Sequence, residues 1–195
     1  MPTKACDHDF APIATVTPVG LLVPQTDNLF LYGVTSKVTS DCIVDCLIRW
    51  WETVRQRYAH IRTLVINLDN GPETHSRRTQ FVYRMIEFVR QFGLEVQLAY
   101  YPPYHSKYKA MERGWGVLER HWNGSLLDTV ATVQHFMSTM TWRGEHPSVD
   151  AVETIYPTGV ALDKETMAIM EAQMQRLAGL ERWFVTIAPE MLWDY

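Results

Sequence analysis

Long hydrophobic runs are missing from this chain. None of its 195 residues falls in an unbroken apolar stretch long enough for a membrane-spanning helix, roughly 18 residues or more. The opening residues, MPTKACDHDF, hold no apolar core of a secretory leader. Cysteine is scarce. Cys6, Cys42 and Cys46 are odd in number and too few for a disulfide framework. Basic charge is not in excess either. The net charge of −4 gives no whole-molecule attraction to nucleic acid, so such a contact needs a local patch. There is no internal repeat and no low-complexity linker. These absences point to a cytoplasmic protein with no membrane partner.

What is present is ordinary globular material, 47% apolar and 21% charged, enough for one domain with a sizeable core. Seven tryptophans are many for this length and suggest large aromatic anchors. Cys42 and Cys46 stand one helical turn apart, which is half of a metal site or a pair of small buried hydrophobes. No matching Cys/His pair occurs elsewhere, which favours burial.

Periodicity sets the order of elements. Residues 16–34 read as two short strands around a Gln-Thr-Asp-Asn turn, a hairpin. Ile43, Leu47, Trp50, Trp51, Val54 and Tyr58 mark one face of an amphipathic helix, with Thr39 or Ser40 as its cap and Asp41 at the positive end of its dipole. Residues 63–68 form a buried strand. Residues 77–92 form a second helix stopped by Gly93, and residues 95–103 another strand ended by two prolines. Helices are expected over 109–122, 126–140 and 164–177, and a late strand or extended arm over 182–189. Strands alternating with helices predict an α/β domain on a mixed sheet. The hairpin is antiparallel and the helix-connected strands are parallel.

Within that order, LVINLDNGPETHSRRTQF raises a question. A strand of four apolar residues ends in Asp69. Asp-Asn-Gly-Pro is turn chemistry, so Asp69 either caps its own loop or presents a carboxylate where α/β sheets gather ligands. The next strand leads to a helix with Glu112 in its first turn. Two carboxylates so placed can hold hard Mg²⁺, which keeps several of its waters. Two such ions can stabilise the attacking and leaving oxygens of a phosphoryl transfer. Arg77, Arg78, His105, Lys107, Lys109 and Arg113 make the neighbourhood basic enough to meet a phosphate backbone. Each of these charges is equally explained as a solvated surface group, and Glu112 as an exposed helix residue. Trp115 and Trp122 fall on the apolar side of their helix with Met111 and Leu118 and are expected in the core.

INLDNGPE, LAYYPPYHSKY, MERGWGVLERHWNG and MTWRG, in that order and spacing, resemble the bacterial insertion-sequence DDE transposases of the ISAzo type, also called Rhodopirellula-type transposases. The resemblance runs from DHDF near the start to the late strand around Phe184. It implies a ribonuclease-H-like fold, divalent-metal catalysis with Mg²⁺ or Mn²⁺, and cutting and joining of transposon DNA ends. By motif match Asp69 is the family's second acidic residue and Glu112 its third. Both would be catalytic metal ligands, with Asn70 and Glu73 either supporting them or packing the loop. His105 would touch phosphate or act near the leaving group.

The family's first acid lies in a stretch reading Ile-Asp-Thr-Lys, upstream of the hairpin and absent from this sequence. Asp7 and Asp9 match a segment downstream of it. The family's Asn-Pro-x-Glu-Arg is replaced by Lys109-Ala110-Met111-Glu112-Arg113, which removes a cap and a helix-starting proline. The expected organisation is therefore an irregular segment over 1–14, a partial ribonuclease-H-like catalytic domain over 15–142 lacking its first catalytic strand, and a C-terminal helix and extended arm over 143–195. The expected partners are DNA, as transposon ends and target, and further copies of the chain. The alternatives are a non-catalytic DNA- or transposase-binding remnant, or another metal-dependent ribonuclease-H-like nuclease.

Overall fold

The computed structural model describes residues 14–102 and 110–192. The opening hairpin consists of β1 (Thr17–Val23) and β2 (Asn28–Val34), antiparallel, with Asp27 in a left-handed conformation at the turn. Then come α1 (Ser40–Val54), β3 (Thr63–Leu68), α2 (Thr79–Phe92) and β4 (Glu95–Tyr100). After them lie α3 (Ala110–Trp122), α4 (Val130–Thr139), β5 (Ser148–Val152), α5 (Lys164–Ala172), β6 (Gln175–Arg176) and β7 (Phe184–Ile187).

The strands form two mixed sheets, where one was expected. The first has the order β1-β2-β5, with β5 parallel to β2. The second has the order β3-β4-β7-β6, with β3 and β4 parallel and β7 antiparallel to both neighbours. Among the described residues, β1 and β3 each pair on one side only. Neither strand carries a charged residue.

Helices join what the strands leave apart. Val19, Leu21, Phe30, Tyr32 and Val34 of the first sheet and Leu64, Ile66, Val96, Leu98, Val185 and Ile187 of the second enter one core with α1 and α2. The opposite face of the first sheet, through Leu29 and Leu31, meets α3 and α4 at Leu118, Val133 and Met137. The period-two alternation along β2 thus serves two cores at once. Strand β3, expected to be buried, is only half covered, and leaves Thr63, Val65 and Asn67 in solvent. Cys42 and Cys46 are fully buried in the larger core. Trp115 and Trp122 are half-buried against the smaller one.

The helix ends follow local chemistry. The Thr39 hydroxyl caps α1 by accepting from the Cys42 N–H at 3.4 Å. Gly93, at φ 65°, closes α2 in the left-handed region. Four helices are shorter than the periodicity predicts, α2 because it begins at Thr79. Helix α1 stops at Val54 and passes into turns. Thr129 caps α4 through the Thr132 N–H at 3.0 Å, so Leu126 and Leu127 stay outside the helix and exposed. Helix α5 ends at Ala172 because Gln175 and Arg176 pair with Thr186 and Val185 of β7.

Residues 143–195, expected as a helix and an arm, supply β5 to the first sheet and β6 and β7 to the second. No helix among the described residues is long and apolar enough to cross a membrane.

Candidate functional site

Asp69 follows β3 directly, at the end of the sheet where the parallel strands β3 and β4 both finish. Leu68 pairs with Tyr100, and the Tyr101 N–H donates to the Leu68 carbonyl at 2.9 Å, so the strand end is held up to its last residue. The Asp69 carboxylate is built into the loop that follows. Its Oδ1 accepts from the Gly71 N–H at 3.3 Å, the turn contact that Asp-Asn-Gly chemistry predicts. The Thr74 hydroxyl lies 3.3 Å from the same oxygen and 3.1 Å from the Asp69 carbonyl. Thr74 itself is buried. A Cβ at Gly71 would come within 3.1 Å of Oδ1, so glycine there lets the carboxylate approach its own loop. Sequence reasoning read the Asp-Asn-Gly turn but missed Thr74. The signal was present in a hydroxyl five residues beyond the acid.

Asn70 is exposed beside Asp69. Glu73 turns to helix α1. Its Oε2 accepts from the Ser40 N–H at 3.1 Å, the Ser40 hydroxyl at 2.9 Å and Arg78 at 3.2 Å. A carboxylate at a helix N-terminus is well placed against the dipole and the orphan N–H groups of the first turn. Arg78 also donates to the Ser40 hydroxyl, so the guanidinium and carboxylate form one bracket between the Asp69 loop and α1. Arg77 is exposed.

Burial draws the pKa of Glu73 up, but the Ser40 hydrogen bonds and the Arg78 charge draw it down further, to a net position below its ordinary 4.5. A folded-state pKa below the unfolded one stabilises the protein above the unfolded value. That contribution is lost as pH falls through the folded one. Glu73→Gln is therefore expected to lower stability at neutral pH, with the gap to wild type closing below about pH 4.5. Urea unfolding at neutral and acid pH checks this, and a gap independent of pH would contradict the bracket.

Glu112 lies in the first turn of α3 and is exposed, as is Arg113. Helix α3 is fixed on β1 by close packing. A Cβ built at Gly20 would sit 2.5 Å from Met111 Cε and 2.7 Å from Trp115 Cη2. Asp69 and Glu112 thus belong to different sheets, Asp69 to the end of β3 and Glu112 to a helix seated on β1. His105, Lys107 and Lys109 lie outside the described residues, as do Asp7 and Asp9.

The two acids offer hard oxygen donors, the chemistry that suits Mg²⁺ or Mn²⁺. Among the described residues no group of three or more His, Cys, Asp or Glu side chains is gathered closely enough to hold an ion. One or two carboxylates, with water and substrate phosphate, make an ordinary Mg²⁺ site, so the donor type and number fit.

The described residues thus form a mixed α/β chain with one acid at the end of a parallel strand and a second on a later helix. The model of the Rhodopirellula transposase DDE domain matches residues 1–189, and the chain belongs to that family. No curated protein and no solved structure matches it.

Proposed function

We propose that this chain is the metal-dependent phosphoryl-transfer part of a DDE transposase, acting on transposon DNA ends by strand cleavage and strand transfer. On this reading it is ribonuclease-H-like, Asp69 and Glu112 hold Mg²⁺ or Mn²⁺, and the chain alone is inactive for want of a third carboxylate. The observation that carries the reading is Asp69, held at the end of β3 by the Gly71 N–H and the Thr74 hydroxyl. A carboxylate fixed before a ligand arrives loses little freedom on binding, which is what a metal ligand requires. Among the described residues β1 and β3 each pair on one side only and share one core, which supports a further strand bearing the first acid in a complete domain.

When bound, a divalent ion supplies Lewis-acid stabilisation of the charge that builds on the phosphoryl oxygens. The chain's own part is to hold that site still and to present DNA to it. Asp69 stays oriented through its turn. Glu112 is carried by a helix whose seat on β1 admits no side chain at Gly20. Arg77 and Arg113, both exposed, meet the DNA backbone. Arg78 serves as a brace through Glu73.

A second reading, a non-catalytic remnant that binds DNA or transposase, is favoured by the one-sided pairing of β1 and β3 among the described residues. A cleavage assay separates the two. With Mg²⁺ and transposon-end DNA, the chain alone is expected to leave DNA intact. Joined in frame to a strand carrying Ile-Asp-Thr-Lys, it is expected to cut, with Asp69→Asn or Glu112→Gln returning the rate to background. Cutting by the chain alone that survives Asp69→Asn would overturn the assignment. An inert joined protein that still binds DNA would favour the remnant.

A further inference from the structure

Arg176 stands about 100 residues from the Asp69 loop in sequence and is joined to it in space. Strand β7 runs antiparallel to β4, with Phe184 opposite Ala99 and the Trp183 carbonyl accepting from the Tyr100 N–H at 2.8 Å. Tyr100 in turn pairs with Leu68. The turn of the β6–β7 hairpin therefore lies at the sheet end that carries Asp69. From β6, Arg176 reaches three segments. Its Nη2 donates to the Ser76 carbonyl at 3.0 Å and to Glu171 Oε2 at 3.0 Å, its Nη1 to the Glu181 carbonyl at 3.2 Å, and its Nε to Glu171 Oε1.

We propose that Arg176 is a positioning residue for the Asp69 carboxylate, acting through Ser76 and Thr74, so that the C-terminal hairpin is a working part of the metal site. The inference rests on the reading of Asp69 as a metal ligand. Ser76 is buried, and two residues before it is Thr74, whose hydroxyl holds Asp69. Between them the loop is tightly wound. The Thr74 and His75 N–H groups both donate to the Gly71 carbonyl, and the Arg78 N–H to that of His75. A displacement of Ser76 in such a turn is carried to Thr74 and so to Oδ1.

Glu73 and Arg78 tie the loop to α1, and Arg176 ties it to β6. The planar guanidinium suits the task because it donates in several fixed directions at once. A lysine would keep the charge beside Glu171 but has one compact head for three separate acceptors.

The test uses the full chain with Mn²⁺ as the probe, bound Mn²⁺ being read by electron paramagnetic resonance. Amide exchange is followed in parallel. Arg176→Gln and the charge-keeping Arg176→Lys are both expected to weaken Mn²⁺ binding by about 3–10-fold, somewhat less than the loss of a partner in direct contact with a ligand. Both are expected to speed exchange at Thr74, His75 and Arg78 and to leave the β3–β4 ladder unchanged. Unchanged affinity, or exchange raised evenly across the chain, would reduce Arg176 to a general brace and overturn the inference alone. Asp69→Asn is the separate control. If Mn²⁺ binding survives it at wild-type strength, or if the wild-type chain binds none, the reading of the site fails and takes the inference with it.

Discussion

Purified alone, the chain is expected to self-associate at micromolar concentration, and Val65→Lys is expected to shift it toward monomer. The cause is the pair of edges at β1 and β3. Each strand is six or seven residues long, uncharged, and paired on one side only among the described residues. Natural edge strands are usually blunted by charge, a bulge or a cover. Pro18 removes one donor from β1, whereas β3 itself carries neither proline nor charge. Val65 is 52% exposed in the middle of β3, so its face is solvated while Leu64 and Ile66 pack inward.

A backbone group buried without a partner costs roughly 1–3 kcal/mol. Net stability of a domain is only about 5–15 kcal/mol. Pairing of edges between copies relieves such losses, and a lysine in mid-strand opposes it. Sedimentation across a concentration series reads the outcome. A wild-type monomer throughout, or association untouched by Val65→Lys, would contradict the role given to β3.

Gly20→Val is expected to destabilise the fold by roughly 1–3 kcal/mol, the cost of overpacking a close contact, and to weaken divalent-ion binding as well. Valine is a far better strand former than glycine, so without a packing constraint the substitution would stabilise β1. The sign therefore reports the contact. A Cβ at Gly20 lies 2.5 Å from Met111 Cε and 2.7 and 2.9 Å from two atoms of the Trp115 ring. The methionine end can swing away, but the indole ring is rigid. Relief then means lifting α3, which carries Glu112 with it. Urea unfolding with a parallel Mn²⁺ titration checks both halves. A rise in stability would show that α3 does not rest on Gly20.

Local signals were legible wherever structure is decided locally. The apolar run of residues 63–68 is β3 to the residue, Gly93 ends α2, and Thr39 caps α1, each set by neighbours within one turn. Pairings across long stretches of chain were not legible. Strand β5 reads Ser-Val-Asp-Ala-Val, a short alternation whose only distinction is its partner β2, over a hundred residues earlier. The division into two sheets depends on which strands meet. Period-two patterns say which face is buried but not which neighbour is beside it.

The site divides in the same way. Asp69 at the end of an apolar strand stood out in the sequence, and its turn contact with Gly71 follows from composition. The bracket from Glu73 to Ser40 and the reach of Arg176 to Ser76 join residues 33 and 100 positions apart, and no spacing rule foretells them.

The shared ion at Asp69 and Glu112 is the central claim, and a double-mutant cycle of Mn²⁺ binding tests it most directly. Asp69→Asn and Glu112→Gln are each expected to weaken a modest affinity by at least about tenfold, the lower end of what losing a merely supporting partner costs. The double variant is expected to bind no worse than either single one, because two ligands of one ion are coupled. Independent, additive losses, or wild-type affinity surviving either substitution, would contradict a common site.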